Sequence, residues 1–328
     1  MRSLLLTDLF SVIHLGAIAL LLAMLFRPGL REAFASRCVG TASAVDLAWV
    51  RIVTCGVLMV YVLSEDLASC ARLGESWFHL PGHLELLGRG VLRYVLASQG
   101  HARAFTAIVL LALTLALLGV FARVTVPLAM LLYLLFGGIL RGFGKYFHEG
   151  YIGLYVLMAL CFLPMSDAWS VDARWLRRLW RRDPAAISAE RTQAYGWGVY
   201  ACYAAASIPY LQLAFSKLVY GGFLWFDGRS LRNYMITDNL NLSEWDIDLA
   251  LHAIHTPTLL FSVAGFFALL TEFAYPLLLV VPRLRVVIPA CVGLMHLGVW
   301  FGQDALFIDA VLMPLIFLRP SRWAGVRS

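Results

Sequence analysis

Long apolar runs separated by short polar connections recur along the whole chain. They fall near 9–26, 46–63, 104–122, 124–140, 150–165, 195–217, 257–281, 286–303 and 304–318. A bilayer core of about 30 Å needs roughly twenty apolar residues in a helix, so the runs predict membrane spans. The fold class is therefore all-α, a polytopic integral membrane helix bundle of eight or nine transmembrane helices. Nine is the direct count, and the short fourth and fifth runs and the final pair are the places where one can be lost. The first run has Arg2 as its only basic flank and no small-residue cleavage site after Phe26, so it reads as a retained helix rather than a signal peptide.

The two longest connections, 64–103 and 218–256, are themselves apolar in places, with Trp77, Phe78, Leu80, Phe223, Trp225 and Phe226. Such loops predict short interfacial helices lying on the bundle. Residues 170–182 mix Trp175, Leu176, Leu179 and Trp180 with five arginines, the pattern of a basic amphipathic helix at anionic headgroups.

The sixth run departs from a lipid-facing pattern. Stepping back from Lys217 by three and four residues gives Ala214, Tyr210, Ser207, Tyr203, Tyr200 and Gly196, one polar or small stripe along a helix. Such a stripe faces protein or a wet cavity. A lysine at its end is a functional-site candidate, or else a helix-end residue that snorkels to the headgroups.

Composition agrees with the pattern: 61% of residues are hydrophobic and 14% charged. Basic residues set the orientation. The loop 166–193 carries Arg174, Arg177, Arg178, Arg181, Arg182 and Arg191 and is assigned to the cytoplasm. Alternation then places the amino terminus outside and the carboxyl terminus inside, with 15 of the 26 Lys and Arg on the cytoplasmic side. That asymmetry accounts for the net charge of +6 without a nucleic-acid partner. An Ala- and Arg-rich composition with short loops fits a bacterial inner membrane, whose lipids are the first expected partner.

The six cysteines have no paired spacing, and the missing Cys-x-x-Cys argues against electron transfer between quinones and disulfides. His252 and His255 have helical spacing but no third ligand beside them, so no metal is expected. His148 stands with Lys145, Tyr146, Glu149 and Tyr151 at the start of the fifth run, on the side where Lys217 emerges. An imidazole, a carboxylate and an amine at one mouth form an acid–base candidate, and interfacial anchors would have the same composition. Within spans, Glu272 is expected to bond His296, Arg51 or a carbonyl freed near Pro276, tying helices together.

Several short segments, taken in order, carry a resemblance. They are Leu47-Ala48-Trp49-Val50-Arg51-Ile52, His148 through Leu163-Pro164 to Trp169-Ser170-Val171-Asp172-Ala173, and Leu211-Gln212-Leu213-Ala214-Phe215-Ser216-Lys217-Leu218. Trp225-Phe226-Asp227-Gly228, Glu272-Phe273 with Pro276, and His296-Leu297-Gly298 follow. Over 45–318 this order resembles the horizontally transferred transmembrane (HTTM) domain family, the vitamin K-dependent gamma-carboxylase-like proteins. The resemblance divides the chain into an extra helix and cytoplasmic loop at 1–44, the membrane domain at 45–318, and a short basic cytoplasmic tail at 319–328.

What the resemblance implies is a lyase or quinol oxygenase at an outward-facing cavity. Lys217 matches the base toward vitamin K hydroquinone or menaquinol, with O2 and CO2 as co-substrates. His148 lies near the second catalytic position, and a gapless alignment from Ser170-Val171-Asp172 puts Glu149 there instead. Tyr203, Ser207, Tyr210 and Trp225 would line the cavity. A desolvated amine yields its proton more readily, which suits a base. The chain departs from the carboxylase in having Ser216 beside Lys217 where that enzyme has two lysines, and in lacking its large lumenal carboxyl-terminal region. The alternative is a non-catalytic membrane partner in maturation or export of a small peptide. A transporter is disfavoured because no inverted repeat is evident.

Overall fold

The computed structural model describes residues 12, 15–16, 18–20, 22–24, 26–73, 77–79, 88–143, 149–180, 190–239, 249–303 and 306–323. The described chain is mostly helical, and its only strands among these residues are a two-residue antiparallel pair. Four helices are long and apolar enough to cross a membrane: α1 (Ala44–Ser64), α2 (Gln99–Leu118), α3 (Ala122–Gly142) and one nearer the carboxyl end. The chain divides into two compact units, Thr41–Ala205 with Leu318–Ser328, and Met1–Gly40 with Ala206–Phe317.

In the first unit, α1 packs against α2 and against α4 (Tyr151–Leu160), and α3 packs against the same two helices. Helix contact is close where glycine removes the side chain: a Cβ at Gly153 would overlap Leu58. A longer helix was expected at 150–165. It stops at Leu160, and turns through Leu163-Pro164-Met165 lead toward α5 (Val171–Trp180). This loop is held by Arg51 of α1, whose Nη1 donates to the Met165 carbonyl at 2.8 Å and Nη2 to the Trp169 carbonyl at 2.6 Å. Asp172 then accepts from the backbone N–H groups of Phe121 and Ala122, both at 2.7 Å, and so caps α3.

The strand pair β1 (Ala42–Ser43) and β2 (Arg191–Thr192) brings the start of α1 beside the start of α6 (Gln193–Ser216). Ser43 caps α1 in a reciprocal box with Asp46. Asp46 also takes the N–H of Ser321 at 3.1 Å and its hydroxyl at 2.7 Å, while Arg191 and Arg319 both donate to the Thr41 carbonyl. Residues after Leu318 are thus bonded to the start of α1, and Arg319 has a structural duty there.

The second unit receives the end of α6, whose 24 residues would span about 36 Å. It holds α7 (Arg229–Asn239), α8 (Thr258–Ala274) and α9 (Leu284–Gln303), the fourth long apolar helix, with all three in mutual contact. The run predicted at 257–281 is broken after Ala274 and resumes as Leu277–Val280, because Pro276 cannot donate to the helical ladder. The run predicted at 304–318 becomes a five-residue helix, Ile308–Leu312, followed by a 3-10 turn, Met313–Phe317, around Pro314.

Candidate functional site

The stripe on α6 is largely buried: Gly196, Tyr203, Ser207, Tyr210 and Ala214 are buried and Tyr200 is half-buried. At its end the backbone loosens into a π-helical turn, Lys217–Gly221, which begins at the lysine itself. Such turns are rare and collect at functional sites. After it, Gly222 and Gly228 take positive φ angles of 55° and 73°, so the chain folds back on α8. Gly228 lies against the Thr258 carbonyl and Gly265 against that of Trp225, approaches that any Cβ would block.

This local geometry places Lys217 on Glu272. The ammonium Nζ donates to Oε1 at 2.5 Å, with the lysine side chain 22% exposed and the glutamate side chain 2%. The Trp225 ring lies 5.0 Å from the same Nζ, a cation–π distance, and stacks in turn on Tyr234 with centroids 6.1 Å apart. Behind the pair, Tyr210 stacks on Tyr275 at 4.1 Å and meets the edge of His296 at 6.2 Å. Phe215 packs edge-on against Phe273, and His296 against Phe307. The His296 Nδ1 donates to the Val292 carbonyl at 2.9 Å, which leaves its Nε2 as the acceptor nitrogen.

Charges and orphan atoms define what the cluster can do. Glu272 and the buried Asp309 both lie within electrostatic reach of the Tyr210 hydroxyl, and Lys217 within reach of His296. The Glu272 Oε2 and the Tyr210 hydroxyl are buried without a hydrogen-bond partner among the described residues. A partly exposed cation bonded to an enclosed carboxylate, with a buried phenol nearby, is an arrangement that can pass a proton between its groups. Among the described residues no cluster of three or more His, Cys, Asp or Glu could hold a metal ion.

The expected residues separate accordingly. Lys217, Glu272, Trp225, Tyr210, Ser207 and His296 fall in one unit. Glu272 was expected to bond His296, Arg51 or a freed carbonyl, and instead bonds Lys217. A carboxylate finds more stabilisation in an ammonium than in a neutral imidazole that already serves its own helix. Arg51 belongs to the other unit, where backbone carbonyls hold it. Tyr203 is there too, its ring 5.9 Å from the Arg319 guanidinium. Glu149 is buried at the start of α4, where its backbone carbonyl accepts from Arg141 at 3.2 Å. His148 lies outside the described residues. Tyr275, Tyr234 and Asp309 escaped sequence reading. Only Tyr275, one helical step beyond Glu272, stood close enough in the chain to be noticed.

Among the described residues, the protein is mostly helical, with four membrane-length apolar helices and a partly exposed lysine bonded to a buried glutamate. Compared with protein-family models, with curated proteins and with solved structures, the chain has no match.

Proposed function

We propose that the protein is a multi-pass membrane enzyme in which Lys217 and Glu272 remove a proton from a quinol or a similar amphipathic hydroxyl compound. The observation that carries this reading is the 2.5 Å bond between a partly open lysine and an enclosed glutamate. The opening lets a ligand reach Nζ, and the enclosure keeps water from the carboxylate. Trp225 supplies an aromatic face beside Nζ against which a ring can lie. The HTTM resemblance supports the same chemistry, with vitamin K hydroquinone or menaquinol as the hydroxyl compound and O2 and CO2 as co-substrates. Glu149 or His148 is the second catalytic candidate on that resemblance. The proposed setting is a bacterial inner membrane, with eight or nine crossings, an external amino terminus and a cytoplasmic carboxyl terminus.

The test is oxidation of menaquinol or reduced vitamin K by purified protein with oxygen and bicarbonate. Wild type is expected to turn over, with a loss of at least a hundredfold in Lys217→Ala at matched folding. A second reading has one observation in its favour: the pair also ties the end of α6 to α8, as a structural ion pair would. On that reading the protein is a non-catalytic partner in peptide maturation or export, and neither form oxidises quinol.

A further inference from the structure

We propose that Glu272, rather than Lys217, is the group that ends up holding the proton. This rests on the base reading above and names the atom on which the base acts. A lysine that donates at 2.5 Å to a carboxylate is an ammonium, and an ammonium has no lone pair to offer a ligand. Before Nζ can accept a proton from a bound hydroxyl it must pass one of its own to Glu272. The balance is one proton moved and no electrons exchanged. The ammonium, the carboxylate and R–OH become the ammonium, the carboxylic acid and R–O⁻. The ligand's O–H bond breaks with its electron pair left on oxygen, and a new O–H bond forms on the carboxyl group. The ensemble stays neutral throughout, so no isolated charge is created in an apolar interior.

Two further observations fit this assignment. The Oε2 atom is buried with no hydrogen-bond partner among the described residues, which leaves an open oxygen for the proton. The Tyr210 hydroxyl is likewise buried without a partner among the described residues and lies within electrostatic reach of Glu272. The titratable groups around Glu272, Lys217 and Tyr210 are Tyr275 beyond α8, His296 on α9 and Asp309 after it. Among the described residues only Lys217 bonds the carboxylate.

The test uses 4-nitrophenol as a probe on the purified full chain, at a pH where the probe is un-ionised in solution. Visible absorbance reports whether the bound probe is ionised, and infrared difference spectra report a carboxyl group gaining a proton. In wild type, bound phenolate is expected together with a new carboxylic-acid band that shifts in heavy water. The phenolate is lost in Lys217→Met. The acid band is lost in Glu272→Gln and moved in Glu272→Asp, and the latter carries the test if the glutamine form does not fold. Phenolate without an acid band, or with a band that persists unmoved in the Glu272 variants, overturns the assignment while leaving Lys217 as an anion site. Absence of any Lys217-dependent phenolate overturns the base reading and this inference together.

Discussion

Asp46 and Glu272 are both buried carboxyl groups on apolar helices, and their surroundings differ in kind. Asp46 accepts from the backbone of Ser43 at 3.1 Å, from the backbone of Ser321 at 3.1 Å and from its hydroxyl at 2.7 Å, so both oxygens are bonded. Glu272 has one donor, Lys217, and a bare second oxygen. The same contrast separates the cations. Arg51 spends its two terminal nitrogens on backbone carbonyls that cannot take a proton, whereas Lys217 bonds a group that can. Partners that cannot take a proton make a brace. A titratable partner with a bond left open makes a site.

The sharpest way to break this comparison is to remove the Glu272 carboxylate. Glu272→Ala strands the Lys217 ammonium, and removal of one member of a buried pair costs about 3–5 kcal/mol. The 22% exposure of Lys217 lets water relieve part of that, so the lower end, about 3 kcal/mol, is expected in detergent unfolding. A loss under about 1 kcal/mol would mean that the ammonium is solvated and the pair is a surface one.

Asp46→Ala should come next, at about 2–3 kcal/mol, from a lost helix cap and the lost charged bonds to Ser321. It should also free the tail after Arg319, visible as faster proteolysis there. Quinol turnover should persist in the fraction that remains folded, since a brace is not a site.

Arg51→Lys is expected to cost about 1–2 kcal/mol, because one ammonium cannot reproduce a fork that meets two carbonyls. Gly119→Ala tests the same brace from the other side. Gly119 sits at φ 66° against the Arg51 guanidinium and Ser170, so a methyl there strains the backbone and displaces the arginine. The two variants should be less than additive in melting experiments.

The smallest effect belongs to Trp225→Leu, about 0.5–1 kcal/mol for the lost cation–π contact. Its effect on quinol turnover should be larger than its effect on stability, because the ring is the proposed face for the substrate. Equal effects would make Trp225 packing alone.

Much of the helical framework was legible, and for a definite reason. The runs at 46–63, 124–140 and 286–303 became α1, α3 and α9 within a few residues, since an unbroken apolar run of membrane length has few other ways to satisfy its backbone. The interruptions within the runs at 257–281 and 304–318 were not legible, because mean apolarity ignores where Pro276 and Pro314 break the ladder. The stripe ending at Lys217 was legible from its spacing alone, and its burial agrees.

The partner of Lys217 was not legible. Glu272 is 55 residues away, and His296 and Arg51 looked equally suitable as its mate. One sequence records which positions are apolar and which side chains can ionise, and these determined the membrane-length helices, the face of α6 and the two charges in them. Pairing depends on which helices become neighbours and on a few ångströms of register. Here that came from the turn at Lys217, the two positive-φ glycines and the close approach at Gly265. Packing in three dimensions decided that Arg51 is a brace, that Glu272 answers Lys217, and that one of its oxygens stays open, because hydrogen bonds act over a few ångströms of space and not along the chain.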